Sequence, residues 1–271
     1  IEAVSSDPTN PVEGQVWYNT TSNVLKGTIS FTNTWATGGN LNTPRYFSGG
    51  KGSQTSALCF GGADGPSENL SVTEQYNGTA WTETTDTNTT NVAGRGGAGV
   101  SNTSTLVFGG SINGAPPTAN VELWNGSSWT ETTNLNINRR FPGGAGTVTA
   151  ALAFGGNQPP VQADTELWNG SSWTELADMN SARSRSMSFG TASTAALVAG
   201  GEGGPPGSLV EVWNGTSWSE TTDMSTARSN TASGAGSTTA GLVAGGQSGG
   251  SKIATTEEWT NGPLTQTFTD S

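Results

Sequence analysis

Short apolar runs recur along the chain, and each is closed by a pair of glycines. Ala57-Leu58-Cys59-Phe60 runs into Gly61-Gly62, and Thr105-Leu106-Val107-Phe108 runs into Gly109-Gly110. The same doublet returns at Gly155-Gly156, Gly200-Gly201 and Gly245-Gly246. Runs this short and this apolar predict buried strands rather than helices. Two glycines let the strand end in a bend that a Cβ would obstruct. Beyond each doublet the pattern changes to alternation, as in Val121-Glu122-Leu123-Trp124, which predicts a strand with two different faces. An Asn-Gly pair follows at Asn77, Asn125, Asn169, Asn214 and Asn261. It predicts a type I′ hairpin turn, in which both central residues take positive φ. A second tryptophan, at Trp81, Trp129, Trp173 and Trp218, then opens an outgoing strand.

The doublets recur at intervals of 48, 46, 45 and 45 residues. Each is followed by an acidic residue and an aromatic: Glu74 and Tyr76, Glu122 and Trp124, Glu166 and Trp168, Glu211 and Trp213, and Glu257 or Glu258 with Trp259. An arginine opens each unit, at Arg45, Arg95, Arg140, Arg183 and Arg228. A first strand after the arginine, such as Phe141 to Gly146, brings each unit to four strands. Four antiparallel strands every ~45 residues describe one blade of a β-propeller.

A hydrophobic run ending in Gly-Gly, then an aromatic, then a tryptophan, resembles the kelch family over residues 42 to 268. WD40 repeats have a similar period, but their Gly-His and Trp-Asp marks are absent. The resemblance implies an all-β, kelch-like propeller with five blades of four antiparallel strands, closed by an N-terminal strand. The outer strand of the last blade is expected from Thr28 to Trp35 or from the segment around Leu264, which stands where a second tryptophan would. Residues 12 to 36 as a sixth, degenerate blade are the alternative. Residues 1–35 then form an N-terminal hairpin and ring-closing strand, and residues 36–271 the propeller. Pro11-Val12-Glu13-Gly14-Gln15-Val16-Trp17-Tyr18-Asn19-Thr20 and the continuation to Gly27 resemble a segment of bacteriophage tail-fibre and other virion proteins. That resemblance implies a virion protein, with residues 1 to 30 helping to anchor it.

Composition narrows the chemistry. The chain has 40 glycines, ten tryptophans, no histidine and a net charge of −11. Its ten basic residues are scattered, so nucleic acid and anionic membranes are not expected partners. No apolar run approaches the ~20 residues needed to cross a bilayer. Cys59 is the only cysteine and reads as a small core hydrophobe. The absence of histidine removes the commonest general base and transition-metal ligand, and with it the copper site of galactose-oxidase-like propellers. The Asp-box repeats of sialidases are absent. Asp64 with Glu68 could form a carboxylate pair, but nothing marks these two out. No enzyme activity, cofactor or metal is expected.

Topology sorts the loops. Turns after strands one and three lie at one end and are short. Turns after strand two, and links between units, lie at the other and are long. These include 63–71, 111–119, 157–164, 202–208 and 247–254. Long, differing loops on a rigid scaffold are where binding usually resides. The candidate ligand-binding residues on this face are Arg45, Arg95, Arg140, Arg183, Arg228, Asp64, Asn113, Asn157, Gln158 and Glu202. The repeated arginines have two readings: structural ion pairs with the repeated glutamates, or a funnel that binds an anionic sugar or carboxylate. The expectation is a non-enzymatic phage virion protein, a tail fibre or surface adhesin that binds a host-surface glycan or protein and contacts other virion proteins. Several copies per virion would give avidity, and a homo-oligomer fits that reading. The alternatives are a structural or decoration protein of the virion, or a cellular kelch module that binds protein or sugar.

Overall fold

The computed structural model describes residues 2–8, 15–27, 38–65, 68–112, 116–203, 207–230, 234–260 and 267–268. Among them there is no helix, and the architecture is all-β and propeller-like. The chain divides into two compact units, Ile1–Thr37 with Asn261–Ser271, and Gly38–Thr260.

In the first unit, Val16–Asn19 and Val24–Gly27 form the expected hairpin, flanked by Glu2–Val4 and Thr267–Phe268. Trp17 is buried and Tyr18 points outward, as alternation requires. Asp7 accepts hydrogen bonds from Trp17 Nε1 (3.1 Å), Asn19 Nδ2 (2.7 Å) and Lys26 Nζ (2.6 Å). Led by the Lys26 hydrogen bond, these contacts bring the Asp7 pKa down to about 2. Thr28 to Trp35 and Leu264, the segments expected to complete the last blade, lie outside the described residues.

In the second unit, repeats one to four each fold into a four-stranded antiparallel sheet in chain order. Repeat three shows the plan: Gly143–Gly146, Ala151–Phe154, Thr165–Trp168 and Trp173–Glu175. Repeat five contributes Gly234–Gly236, Ala240–Ala244 and Thr256–Thr260. The second strands are apolar throughout because both faces are covered: Leu106, Val107 and Phe108 are all fully buried. The first aromatic and the second tryptophan stack across each hairpin, at 5.1 Å for Trp124 and Trp129 and 5.4 Å for Trp168 and Trp173. The second tryptophan also meets the phenylalanine of the preceding repeat edge-on: Phe60 with Trp129, Phe108 with Trp173, and Phe154 with Trp218 at 4.9 Å. The tryptophans therefore join one sheet to the next.

The hairpin turns differ from expectation. Four residues separate Trp124 from Trp129, and only Gly126 has positive φ. Asn125 holds the turn through its side chain, with Oδ1 accepting from the Ser127 and Ser128 amides at 2.9 Å each. Asn77, Asn169 and Asn214 do the same. This is an Asx-type turn rather than type I′.

The first strands of successive repeats crowd together, which explains their glycines. A Cβ on Gly144 would lie 2.3 Å from the Gly97 carbonyl oxygen of the neighbouring repeat. Lys51 of repeat one reaches across to donate to the Gly144 carbonyl of repeat three at 3.1 Å. Burial pulls the Lys51 pKa down to about 8.

Candidate functional site

Each first strand begins with a short extension that bridges to the residue after the Gly-Gly doublet. The bridged pairs are Tyr46 with Ala63, Ala93 with Ser111, Arg140 with Asn157, Ser184 with Glu202 and Ser229 with Gln247. The next residue in every repeat is left-handed: Phe47 (φ 54), Gly94 (φ 68), Phe141 (φ 56), Arg185 (φ 54) and Asn230 (φ 52). This shifts the start of the repeat-three strand from the expected Phe141 to Gly143. The left-handed residues are joined through their backbones. Gly94 N donates to Phe47 O at 3.0 Å, Phe141 N to Gly94 O at 2.7 Å, and Arg185 N to Phe141 O at 3.3 Å. Glycine takes this conformation freely, but phenylalanine and arginine in it are uncommon and strained by ~1–3 kcal/mol.

These residues surround a cavity of about 340 Å3, lined by Arg45, Tyr46, Phe47, Ser48, Arg95, Phe141, Pro142, Arg185, Ser186 and Asn230. Tyr46 and Phe47 are exposed and pack ring to ring at 4.8 Å. The Arg185 guanidinium stacks over Phe141, 4.5 Å from the ring centroid, and lies 5.7 Å from Phe47. It is steadied by Glu202 Oε2 at 2.7 Å. Glu202 Oε1 accepts from Asn230 Nδ2 at 2.5 Å. The cavity thus joins aromatic faces to guanidinium groups, and no acidic side chain lines it.

The repeated arginines and glutamates form buried ion pairs within each repeat. Arg45 pairs with Glu74, Arg95 with Glu122 (2.7 Å), Arg139 with Glu166 (2.8 Å), Arg183 with Glu211 (2.5 Å) and Arg228 with Glu257 (2.6 Å). Each glutamate also accepts two backbone amides of the incoming link, such as Asn136 and Ile137 on Glu166. Burial pushes the Glu74 carboxyl up, but the Asn42 and Thr43 amides and Arg45 outweigh it and hold the group below its usual range. Four of the arginines expected to open the repeats are therefore locked in place. The fifth is corrected: Arg139 carries the pair, not Arg140. Arg140 occupies the place of Tyr46 in repeat one, half-buried, with its guanidinium 5.9 Å from the Phe141 ring.

Repeat two departs from the others. Arg139 Nη1 donates to the carbonyls of Gly155 and Asp164 at 2.8 Å each, and Nη2 to Glu166. Arg45, Arg183 and Arg228 repeat this arrangement. In repeat two that place belongs to Val92, two residues before the left-handed Gly94. The arginine stands three residues later, at Arg95, where the other repeats have Ser48, Pro142 and Ser186. From there Nη1 reaches Glu122, while Nε and Nη2 are buried without a partner. Burial lowers the Arg95 pKa and Glu122 opposes that fall.

The other expected residues divide. Glu202 does not line the cavity but holds two residues that do, Arg185 and Asn230. Asp64 is exposed in the strand Ala63–Gly65, and Gln158 Oε1 accepts from Gln162 Nε2 at 3.2 Å. Asn157 bridges Arg140 and has a buried Oδ1 with no partner. Asn113 lies outside the described residues. Sequence reasoning missed Tyr46, Phe47, Phe141, Arg185 and Asn230. Their signal was positional, since they stand one or two residues after the repeat arginine or its replacement, but their residue types vary. Among the described residues no three side chains gather to hold a metal ion. Burial raises the Cys59 thiol pKa, so it packs as a core residue rather than a reactive one. No protein-family model matches the chain, and no curated protein matches it either.

Proposed function

We propose that this chain is a non-enzymatic, five-bladed kelch-type propeller that binds a ligand on its long-loop end, as a tail-fibre or surface adhesin of a phage virion. The single observation that carries the binding role is the cavity. Strained aromatic and cationic side chains are held there on backbones tied from repeat to repeat. Strain of this kind is retained where the side chain is used. A cavity of about 340 Å3 suits a monosaccharide or a short peptide side chain. The virion setting rests on the resemblance of the N-terminal segment to tail-fibre proteins; Val16–Asn19 and Val24–Gly27 of that segment pair as a hairpin.

The test is binding of the purified chain to a glycan array and to bacterial host cells. The comparison variant is Phe47→Ser with Arg185→Gln. Both residues lie at the cavity, and neither belongs to a buried ion pair. Saturable binding that the variant loses, with an unchanged thermal melt, supports the adhesin. Absence of binding to every glycan and cell overturns it and favours a structural virion protein.

A further inference from the structure

Among the described residues of the second unit, three large apolar side chains stay exposed: Tyr46 at 44%, Phe47 at 42%, and Val100. The two aromatics are neighbours, and both line the cavity. Rings left in solvent beside a cavity form a contact surface rather than core. Both are fixed in place. The Tyr46 hydroxyl donates to the Gly65 carbonyl at 2.8 Å, and the Phe47 ring meets Tyr46 at 4.8 Å and Phe141 at 5.2 Å. Arg185 is fixed as well, by the Phe141 face and by Glu202, yet its side chain is 29% exposed. Glu202 engages its Nη1, and a guanidinium has five N–H donors, so others remain for a ligand.

The cations of the cavity are already matched. Arg45, Arg95 and Arg185 line it, and each has a carboxylate of its own: Glu74, Glu122 and Glu202. The first two guanidiniums are sealed from solvent together with their carboxylates. An anion entering the cavity meets no unmatched cation, and the net charge of −11 opposes its approach. Hydroxyl groups accept from a guanidinium without adding charge.

We infer that the cavity binds an uncharged pyranose sugar. One C–H face of the ring lies against Phe47 and Tyr46, whose electron-rich π faces suit the slightly positive C–H groups. Hydroxyls on the rim of the sugar accept from Arg185, which Phe141 and Glu202 hold ready. Groups held in this way lose little freedom on binding. The assignment rests on reading the cavity as a binding site, and it adds the chemical class of the ligand.

The test is a saturation-transfer NMR titration of the full chain at low and high salt. Methyl β-glucoside and methyl β-galactoside are set against methyl β-glucuronide, which differs from the glucoside by its carboxylate alone. At least one uncharged glycoside is expected to bind, with saturation concentrated on the C–H protons of one ring face and an affinity that salt does not change. The glucuronide is expected to bind about tenfold more weakly. Phe47→Leu keeps an apolar side chain but removes the π face, and should weaken the uncharged glycoside about fivefold. Glu202→Gln frees the Arg185 charge and should shift the preference toward the glucuronide about fivefold. The wild-type titration stands by itself if either variant fails to fold. A glucuronide that binds as tightly as the uncharged glycosides, or no response to either of them, overturns the assignment. So does an unchanged affinity in Phe47→Leu or an unchanged preference in Glu202→Gln. Glycoside binding without any cell or array binding supports it and overturns only the adhesin. Cell binding with no response to the uncharged glycosides overturns the sugar class and leaves the adhesin.

Discussion

Repeats two and three spend the same ion pair differently. In repeat three, Arg139 satisfies Glu166 and the carbonyls of Gly155 and Asp164 at once, and it closes the link into its own sheet. In repeat two, Arg95 comes from three residues farther along the strand, reaches only Glu122 and leaves Nε and Nη2 buried without a partner. The pair is what the fold requires, and the position from which it is made decides whether the arginine also holds backbone carbonyls. A repeat can change one position's duty without losing the lock, provided the guanidinium still reaches the buried carboxylate.

The sharpest way to break the comparison is to remove the arginine from each repeat. Arg139→Met strands the fully buried Glu166 and is expected to cost about 3–5 kcal/mol in chemical denaturation. Arg95→Met should cost less, because only the bond to Glu122 is lost, whereas Arg139→Met also frees the carbonyls of Gly155 and Asp164. Equal losses would show that the carbonyl contacts of Arg139 contribute nothing.

A second contrast sets repeat four against the first three. In those, a first-strand glycine faces a second-strand phenylalanine: Gly49 with Phe60, Gly96 with Phe108, Gly143 with Phe154. A Cβ on Gly143 would lie 2.2 Å from Phe154 Cε2. Repeat four reverses the sizes, with Met187 facing Ala199. Gly143→Met should cost about 1–3 kcal/mol by overpacking, and Phe154→Ala in the same chain should recover part of that loss. A double-mutant cycle in thermal melts measures the coupling, and strict additivity would refute the exchange.

A milder effect tests the strained rim. Phe141→Gly is expected to cost no more than about 1 kcal/mol, since Gly94 already holds the same conformation in repeat two. It should nevertheless abolish cavity binding by removing the surface on which Arg185 stacks.

The smallest effect is one of pH. Lys51 loses its proton near pH 8 in the folded chain and near 10.5 when unfolded. The unfolded state holds the extra proton between those values, so stability rises with pH from about 8 to about 10.5. Denaturation midpoints across this range should rise in the wild type and stay flatter in Lys51→Met.

Spacing alone made the strands and their order legible, because glycine doublets, alternating strands and paired tryptophans each answer to local geometry. The sorting of long loops to one end followed from strand direction. The turn chemistry was half legible: Asn-Gly marks the hairpin, but the choice of an Asx turn depends on four residues closing between stacked tryptophans. The choice between Arg139 and Arg140 was not legible. Adjacent side chains on a strand point to opposite faces, and only the register against Glu166 decides which one is buried.

The sequence by itself determined that this chain repeats one four-stranded antiparallel unit and that each unit carries an arginine and a glutamate for its own interior. The tertiary structure decided the site, because the cavity is assembled from residues of five repeats that are far apart in the chain. Their local sequences differ, with Phe47, Phe141, Arg185 and Asn230 at equivalent places, and no pattern within one repeat records what its neighbours will present. The half-used guanidinium of Arg95 belongs to the same class of fact. Whether a donor is satisfied depends on which carbonyls the fold brings to it, and that is settled only when the strands are in register.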